Sequence, residues 1–248
     1  MQLSVVLVRT ETPGNIGAVA RAMANMGATR LVLIDPKCSP LHSKSRQMAA
    51  TAQDVLLGAV RYDSWDSFYQ AEGEGVRIAL SRRCGKNRKV YPLEGLLRSK
   101  LDVAPASYLY LIFGPEADGL AAEDLAYVNF TCYLPVQGDN ASLNLSQAVL
   151  LALHVARQAF PAEGVQQTKG ENAEALRPFY FPDQLIKDWL TAMGFDVSAR
   201  RASAYITLRR LFLQNQPSRH EYQVLEAILQ QNIRKLQGES KKRPERSV

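Results

Sequence analysis

The sequence predicts an α/β fold, a three-layer and mostly parallel sheet, followed by a small all-helical extension. Leu3–Val8, Leu31–Ile34, Val76–Leu80 and Tyr108–Phe113 are near-continuous apolar runs of strand length. That is the pattern of strands buried on both faces of a parallel sheet. Helical patterns fall between these runs up to residue 160, so strand and helix alternate. From Pro182 onward the periodicity is helical only.

Leu3–Val8 forms the first strand and Arg9–Gly17 a loop. Ala18–Gly27 is a helix rich in small residues, with Gly27 as its stop. The face of Ala18, Ala22 and Met26 is narrow enough to press on a sheet. Leu31–Ile34, closed by Asp35-Pro36, completes a βαβ start. Ser43–Ala52 reads as a helix. Val55–Leu57 and Val60–Tyr62 are too short to assign. Ser64–Ala71 is a short helix ending in the Gly73/Gly75 turn. Strand Val76–Leu80 opens into Ser81–Lys89, a loop with five cations in nine residues. Strand Tyr108–Phe113 runs into Gly114–Leu120, and a short helix (Ala122–Ala126) precedes strand Phe130–Val136. A Gly/Asp/Asn loop then leads to a long helix, Leu143–Phe160. Ser142 is placed to cap it, with Asn144 in its first turn.

Residues 161–178 are polar and rich in Gln, Glu, Gly and Pro, a linker. Helices follow from Pro182 to Met193 with Gly194 as stop, from Arg200 to Leu213, and from a capping box at Ser218–Glu221 to about Leu236. The organisation is a domain at 1–160, the linker at 161–178, a helical extension at 179–236 and a disordered basic tail at 237–248.

A chain of 248 residues suffices for one large domain plus a small one. No apolar run spans a bilayer and residues 1–8 lack a signal-peptide pattern, so a cytoplasmic protein without a membrane partner is expected. Cys38, Cys84 and Cys132 are far apart and form no C-x-x-C pair, which suggests reduced thiols. His42, His154 and His220 are equally scattered, so no metal site is expected. The net charge of +6 points to a polyanionic partner. Residues 161–248 hold 14 Lys/Arg against 10 Asp/Glu, and five arginines with no acid fall between Asp196 and Glu221. Arg200, Arg201, Arg209 and Arg210 are therefore candidate contacts to such a polyanion, as are Arg83, Lys86, Arg88 and Lys89 of the basic loop. Either set also reads as a solvated face.

Three loops, Pro13–Gly17, Gly114–Leu120 and Gly138–Asn144, lie at the C-terminal ends of apolar strands, where open α/β sheets bind ligands. G-x-G-x-x-G, G-x-x-x-x-G-K-[ST] and H-E-x-x-H are all absent, which disfavours a Rossmann oxidoreductase or a P-loop NTPase. What the loops do contain is Asn15-Ile16-Gly17-Ala18-Val19-Ala20-Arg21, Phe113-Gly114-Pro115-Glu116-Ala117-Asp118-Gly119-Leu120, and Leu134-Pro135 followed by Ser142-Leu143-Asn144-Leu145-Ser146. Together, in this order, these resemble the three motifs of the SPOUT class of RNA methyltransferases, specifically the SpoU/TrmH-type ribose 2′-O-methyltransferases. The match covers residues 1–160. The tail, with Leu208-Arg209-Arg210-Leu211-Phe212 and a final amphipathic helix, resembles the TrmJ branch, which methylates a ribose of the tRNA anticodon loop.

The resemblance implies a trefoil knot at the C-terminal end of the sheet, S-adenosylmethionine as methyl donor, and a homodimer with its active site at the subunit interface. By position it implies cofactor contacts from Leu80, Ser81, Arg82, Gly114, Gly119, Leu134, Ala141, Ser142 and Leu143. Arg21, Asn15, Glu116, Ser142 and Asn144 would serve the reaction, which is attack of a ribose 2′-OH on the sulfonium methyl. A guanidinium stays protonated in proteins. Arg21 therefore reads as a stabiliser of the forming alkoxide and a clamp on phosphate, not as a base. Val90-Tyr91-Pro92 stands where the branch often has Pro-Trp-Pro, which leaves the substrate nucleotide open. The expectation is tRNA methylation at nucleotide 32; ribosomal RNA as substrate and a catalytically silent RNA-binding module are the alternatives.

Overall fold

In the computed structural model, strands β1 (Gln2–Val8), β2 (Arg30–Ile34), β3 (Val60–Tyr62), β4 (Gly75–Leu80), β5 (Tyr91–Pro92), β6 (Tyr108–Phe113) and β7 (Phe130–Tyr133) form one sheet. Its order is β3-β2-β1-β6-β4-β7-β5, and every described pairing is parallel. The described residues are 2–72, 75–81, 89–99, 108–136, 142–160, 181–197, 204–215, 217 and 219–240. The linker 161–178, most of the basic loop, 137–141, 198–203 and 241–248 lie outside them. The chain divides into two compact units, Met1–Phe179 and Tyr180–Val248.

The apolar runs become strands because both faces of the sheet are covered. Leu3, Val5 and Leu7 of β1 point into one core layer, Val6 and Val8 into the other. The first layer is filled from α1 (Pro13–Asn25), α2 (Ser43–Ala49), α3 (Gln53–Leu57), α5 (Leu93–Ser99) and α6 (Leu145–Ala159). The second is thinner and aromatic: Trp65, Phe68 and Tyr69 of α4 (Trp65–Ala71), with Tyr110, Leu125 and Val128. Arg77 of β4 is fully buried in this layer, its guanidinium 4.4 Å from the Tyr69 ring centre and 5.1 Å from that of Tyr110, an arrangement that exploits ring quadrupoles.

Helix α1 starts five residues before the expected Ala18. Pro13 sits in its first turn, where a fixed φ and a missing N–H cost nothing. Asn15 and Gly17 are thus helical, not loop. Gly17 is where α1 and α2 touch: a Cβ there would lie 2.1 Å from the Ser45 carbonyl oxygen. Gly27, at φ 64°, ends the helix as expected. Val55–Leu57 and Val60–Tyr62 resolve into α3 and β3. The expected helix at 122–126 is a short 3-10 turn at Asp124–Tyr127.

Two buried carboxylates tie the sheet to its surroundings. Asp124, 2 % exposed, pairs with Arg9 at the end of β1 and accepts from Trp65 Nε1 at 2.9 Å and from the Ala121 N–H at 2.7 Å. Glu72 accepts from Arg30 at 2.6 Å, Tyr62 at 2.7 Å and Tyr110 at 3.0 Å. Burial, together with the hydrogen bond to Glu72, pushes the Tyr62 phenol up to about 12. A third tie closes α1 from α6. Arg157 Nε donates to the Met26 carbonyl at 3.1 Å and its terminal nitrogen to the Gly27 carbonyl at 2.8 Å. An Arg157→Ala variant is expected to lose about 1–2 kcal/mol by urea denaturation, with Arg157→Lys losing less.

The second unit, among its described residues, consists of α7 (Asp183–Ala192), α8 (Ala204–Asn215) and α9 (Arg219–Ser240) around Ile186, Leu190 and Leu229. Residues 237–240, read from the sequence as tail, continue α9. Asp183 accepts from Arg209 and Lys187, both at 2.5 Å, and from the Tyr205 hydroxyl. Burial raises the Asp183 carboxyl, but these donors and the nearby charges outweigh it and hold the group below its ordinary value.

Candidate active site

The C-terminal ends of β4, β6 and β7 open into a cavity of about 610 Å³. Leu80 and Ser81 line it from β4, Phe113 and Gly114 from β6, and Tyr133, Leu134 and Val136 from β7 and the residues after it. The segment Pro115–Gly119 forms a rim. Ser142, Leu143, Asn144, Leu145 and Ala148 close the side where α6 begins, and Asn15 reaches in from the first turn of α1. All these strand ends point the same way because the pairings are parallel, so their loops gather at one end of the sheet.

Local chemistry sets each wall. Gly114 leaves β6 where the loop folds back on itself: a Cβ at this position would lie 2.3 Å from both the Gly119 carbonyl carbon and the Leu120 nitrogen. Gly119 turns at φ 69°, open to glycine at no steric cost. Asn144, not Ser142, is the N-cap of α6: its Oδ1 accepts from the Ser146 N–H at 3.0 Å and the Ser146 hydroxyl at 2.8 Å. The helix begins at Leu145 because Leu145, buried, is the first residue of its apolar face. Ser142 is thereby left in the cavity wall. Across the mouth, Asn15 Nδ2 donates to Glu116 Oε1 at 2.5 Å. A carboxylate only accepts, so the Asn15 amide nitrogen faces Glu116 and its oxygen is turned away as an acceptor. Nearby, the Cys38 thiol lies 3.5 Å from the Thr10 carbonyl oxygen. Burial and the Glu116 charge push this thiol up, so it is not an activated nucleophile.

Of the expected cofactor contacts, Leu80, Ser81, Gly114, Gly119, Leu134, Ser142 and Leu143 line the cavity, while Arg82 and Ala141 lie outside the described residues. Asn15, Glu116, Ser142 and Asn144 come together at it. Arg21 does not. It is exposed on α1, about 9 Å along the helix axis from Asn15, and among the described residues it has no hydrogen-bond or ion-pair partner. Of the expected RNA contacts, Lys89 is exposed beside Tyr91; Arg83, Lys86, Arg88, Arg200 and Arg201 lie outside the described residues. Arg209 requires a correction. It is 4 % exposed, paired with Asp183 and 5.0 Å from the Phe181 ring centre, so it is an internal cation and not a solvated one. Arg210 is half-buried. Phe113, Pro115, Asp118, Tyr133, Val136 and Ala148 also line the cavity and are not among the sequence-predicted site residues. Phe113, Pro115 and Asp118 stand inside the second motif, and Tyr133, Val136 and Ala148 lie beside the residues of the third. Among the described residues no group of three His, Cys, Asp or Glu could hold a metal ion, and no helix is long and apolar enough to cross a membrane.

A model of the SpoU rRNA Methylase family matches residues 2–154. The tRNA (cytidine/uridine-2'-O-)-methyltransferase TrmJ of Pectobacterium atrosepticum is 31% identical over 234 residues, 92% of this chain and 95% of that protein. Among solved structures, TrmJ from Z. mobilis ZM4 superposes with a TM-score of 0.71 at 25% identity, covering 93% of this chain and 99% of that one. A structure reported for the 2-OH methylation of C/U34 on tRNA gives a TM-score of 0.51 at 29% identity over 64% of this chain and 90% of its own.

Proposed function

The chain belongs to the SpoU rRNA Methylase family, and we propose that it is an S-adenosylmethionine-dependent tRNA ribose 2′-O-methyltransferase acting on the anticodon loop in the cytoplasm. The observation that carries the reading is convergence: three segments far apart in sequence, at Asn15, Gly114–Gly119 and Ser142–Asn144, meet at one cavity. The cavity fits the methyl donor. Its volume of about 610 Å³ lies within the ~300–1,000 Å³ of small-molecule sites. Leu80, Phe113, Leu134, Leu143 and Leu145 provide apolar walls for an adenine and a methionine chain. Ser81, Ser142 and nearby backbone groups offer hydrogen bonds to its edges, and Glu116 and Asp118 place carboxylates at the rim, compatible with a sulfonium.

S-adenosylmethionine supplies an already activated methyl group, so the chain must align and deprotonate a weakly acidic hydroxyl. Ser142 and the Asn15 oxygen orient the ribose, and Glu116 holds Asn15 in place. Arg21 stabilises the forming alkoxide and clamps the adjacent phosphate, while the proton passes to phosphate or water. Since Arg21 stands outside the cavity of its own protomer, the reading includes a homodimer whose active site lies at the subunit interface. It also includes the trefoil knot that family membership implies around Gly114–Gly119 and the segment leading into α6. Lys89, the basic loop and the cations of the helical extension, Arg209 excepted, serve as phosphate contacts.

The test is incubation of the protein with total tRNA and isotopically labelled S-adenosylmethionine, followed by mass-spectrometric mapping. Label on a ribose of the anticodon loop is expected, at nucleotide 32. Label on a base refutes the reading, and label confined to ribosomal RNA supplied in parallel moves the substrate.

A further inference from the structure

Gly14, next in sequence to the cavity-lining Asn15, lies against a cation that the motifs do not include. Helix α2 is fastened to the first turn of α1: Ser45, fully buried, donates its hydroxyl to the Pro13 carbonyl at 2.8 Å. Gly17 lets the two backbones touch. The residue before Ser45, Lys44, lays its stem over Gly14; its side-chain carbons lie 3.3–3.7 Å from where a Gly14 Cβ would be. Gly14 is buried beneath it, and the next residue, Asn15, lines the cavity. Lys44 is therefore an exposed cation whose stem packs one residue from the site.

Among the described residues its charge is also uncommitted. Lys37 spends its ammonium on Asp35 at 2.7 Å, and Arg9 is bound to Asp124. Among the described residues Lys44 has no carboxylate partner, and Glu116, the acid on the adjacent rim, is engaged by Asn15. Nothing in the fold requires an ammonium here, since an apolar stem alone would cover Gly14. We propose that Lys44 is a phosphate contact for the RNA strand entering the cavity, binding the backbone next to the target nucleotide and acting as a positioning residue. This rests on the RNA-methyltransferase reading and adds to it an entry side, at the α1–α2 corner.

A phosphate contact leaves a signature that a packing role does not. Lys44→Met keeps the stem over Gly14 and removes the charge. In the full chain, Lys44→Met is expected to weaken tRNA binding about fivefold at ~0.1 M salt and to reduce the slope of log K against log salt by about 1. KM for tRNA should rise with kcat at saturation and S-adenosylmethionine affinity unchanged, and Lys44→Arg should restore the slope. Arg98→Gln, which removes an exposed cation paired with Glu94 on α5, should leave the slope as in the wild type. An unchanged slope in Lys44→Met, in a preparation whose wild type methylates tRNA, overturns the inference alone. A slope lost equally in Arg98→Gln overturns it too, because net charge then explains the effect. A wild-type chain that neither binds nor methylates RNA removes the functional reading and this inference with it.

Discussion

An Arg21→Ala variant is expected to fold, to bind S-adenosylmethionine as the wild type does, and to lose roughly a thousandfold in turnover. Arg21 is exposed on α1 and lines no part of the cavity. Its removal opens no void, and alanine is the better helix former. Melting temperature and calorimetric cofactor titration should therefore stay put while single-turnover rates fall. Because a guanidinium cannot accept a proton near neutrality, the loss should persist across the pH range instead of vanishing at high pH, as it would for a missing base. Arg21→Lys should recover only part of the rate, keeping a charge without the planar fork. The exposed position of Arg21 also makes the interface arrangement testable. Mixing Arg21→Ala with a variant whose cavity is filled, such as Ala148→Phe, should restore about a quarter of wild-type activity through mixed two-fold dimers. No recovery on mixing would mean that each protomer uses its own Arg21.

How far the sequence carries depends on the range of the forces involved. Strands β1, β2, β4 and β6 were legible because their burial is continuous and needs no partner to be recognised. The two-residue β5 and helix α5 are not among the elements the sequence predicts. β5 is too short to show a period, although Leu93, Leu96 and Leu97, all buried, stand at helical spacing and were there to be read. At Pro13 the local signal for a helix start was present and lost to the Gly-Asn composition of the same stretch. Ser142 and Asn144 are both good caps, and the choice fell to Asn144 because the core places the first apolar residue at Leu145. Arg209 shows what composition cannot carry. Its partner Asp183 is 26 residues away, so only the fold distinguishes an internal ion pair from a basic surface. The insertion of β6 between β1 and β4 is of the same kind, since each strand reads alike whatever its neighbour. At the site the legible part was the motif segments themselves, short runs of particular side chains, and the fold brings Asn15, Glu116, Ser142 and Asn144 from them to one cavity.

Gly114→Ala should abolish cofactor binding, with affinity falling at least ~100-fold, about 3 kcal/mol. The added methyl would meet the Gly119 carbonyl carbon and the Leu120 nitrogen at 2.3 Å each. Both are backbone atoms and cannot rotate aside as a side chain end would. The chain must part between the end of β6 and Leu120, which is buried in the aromatic layer. Two responses are open. If Leu120 holds, the rim Pro115–Gly119 swings outward, Glu116 leaves Asn15, and the cavity loses a wall while the rest of the fold persists. If the rim holds, Leu120 is pulled from its layer and stability drops by the ~1–3 kcal/mol typical of overpacking. Either way the backbone at Gly114, which itself lines the cavity, is displaced, so both outcomes predict loss of binding and differ only in melting temperature. Gly119→Ala is the control for backbone conformation. Nothing lies within 4 Å of its added methyl, but its φ of 69° disfavours any side chain. That variant should be strained by about 1 kcal/mol and still bind. If Gly114→Ala retained wild-type affinity, the tight fold-back of the β6 loop would not be what shapes the site.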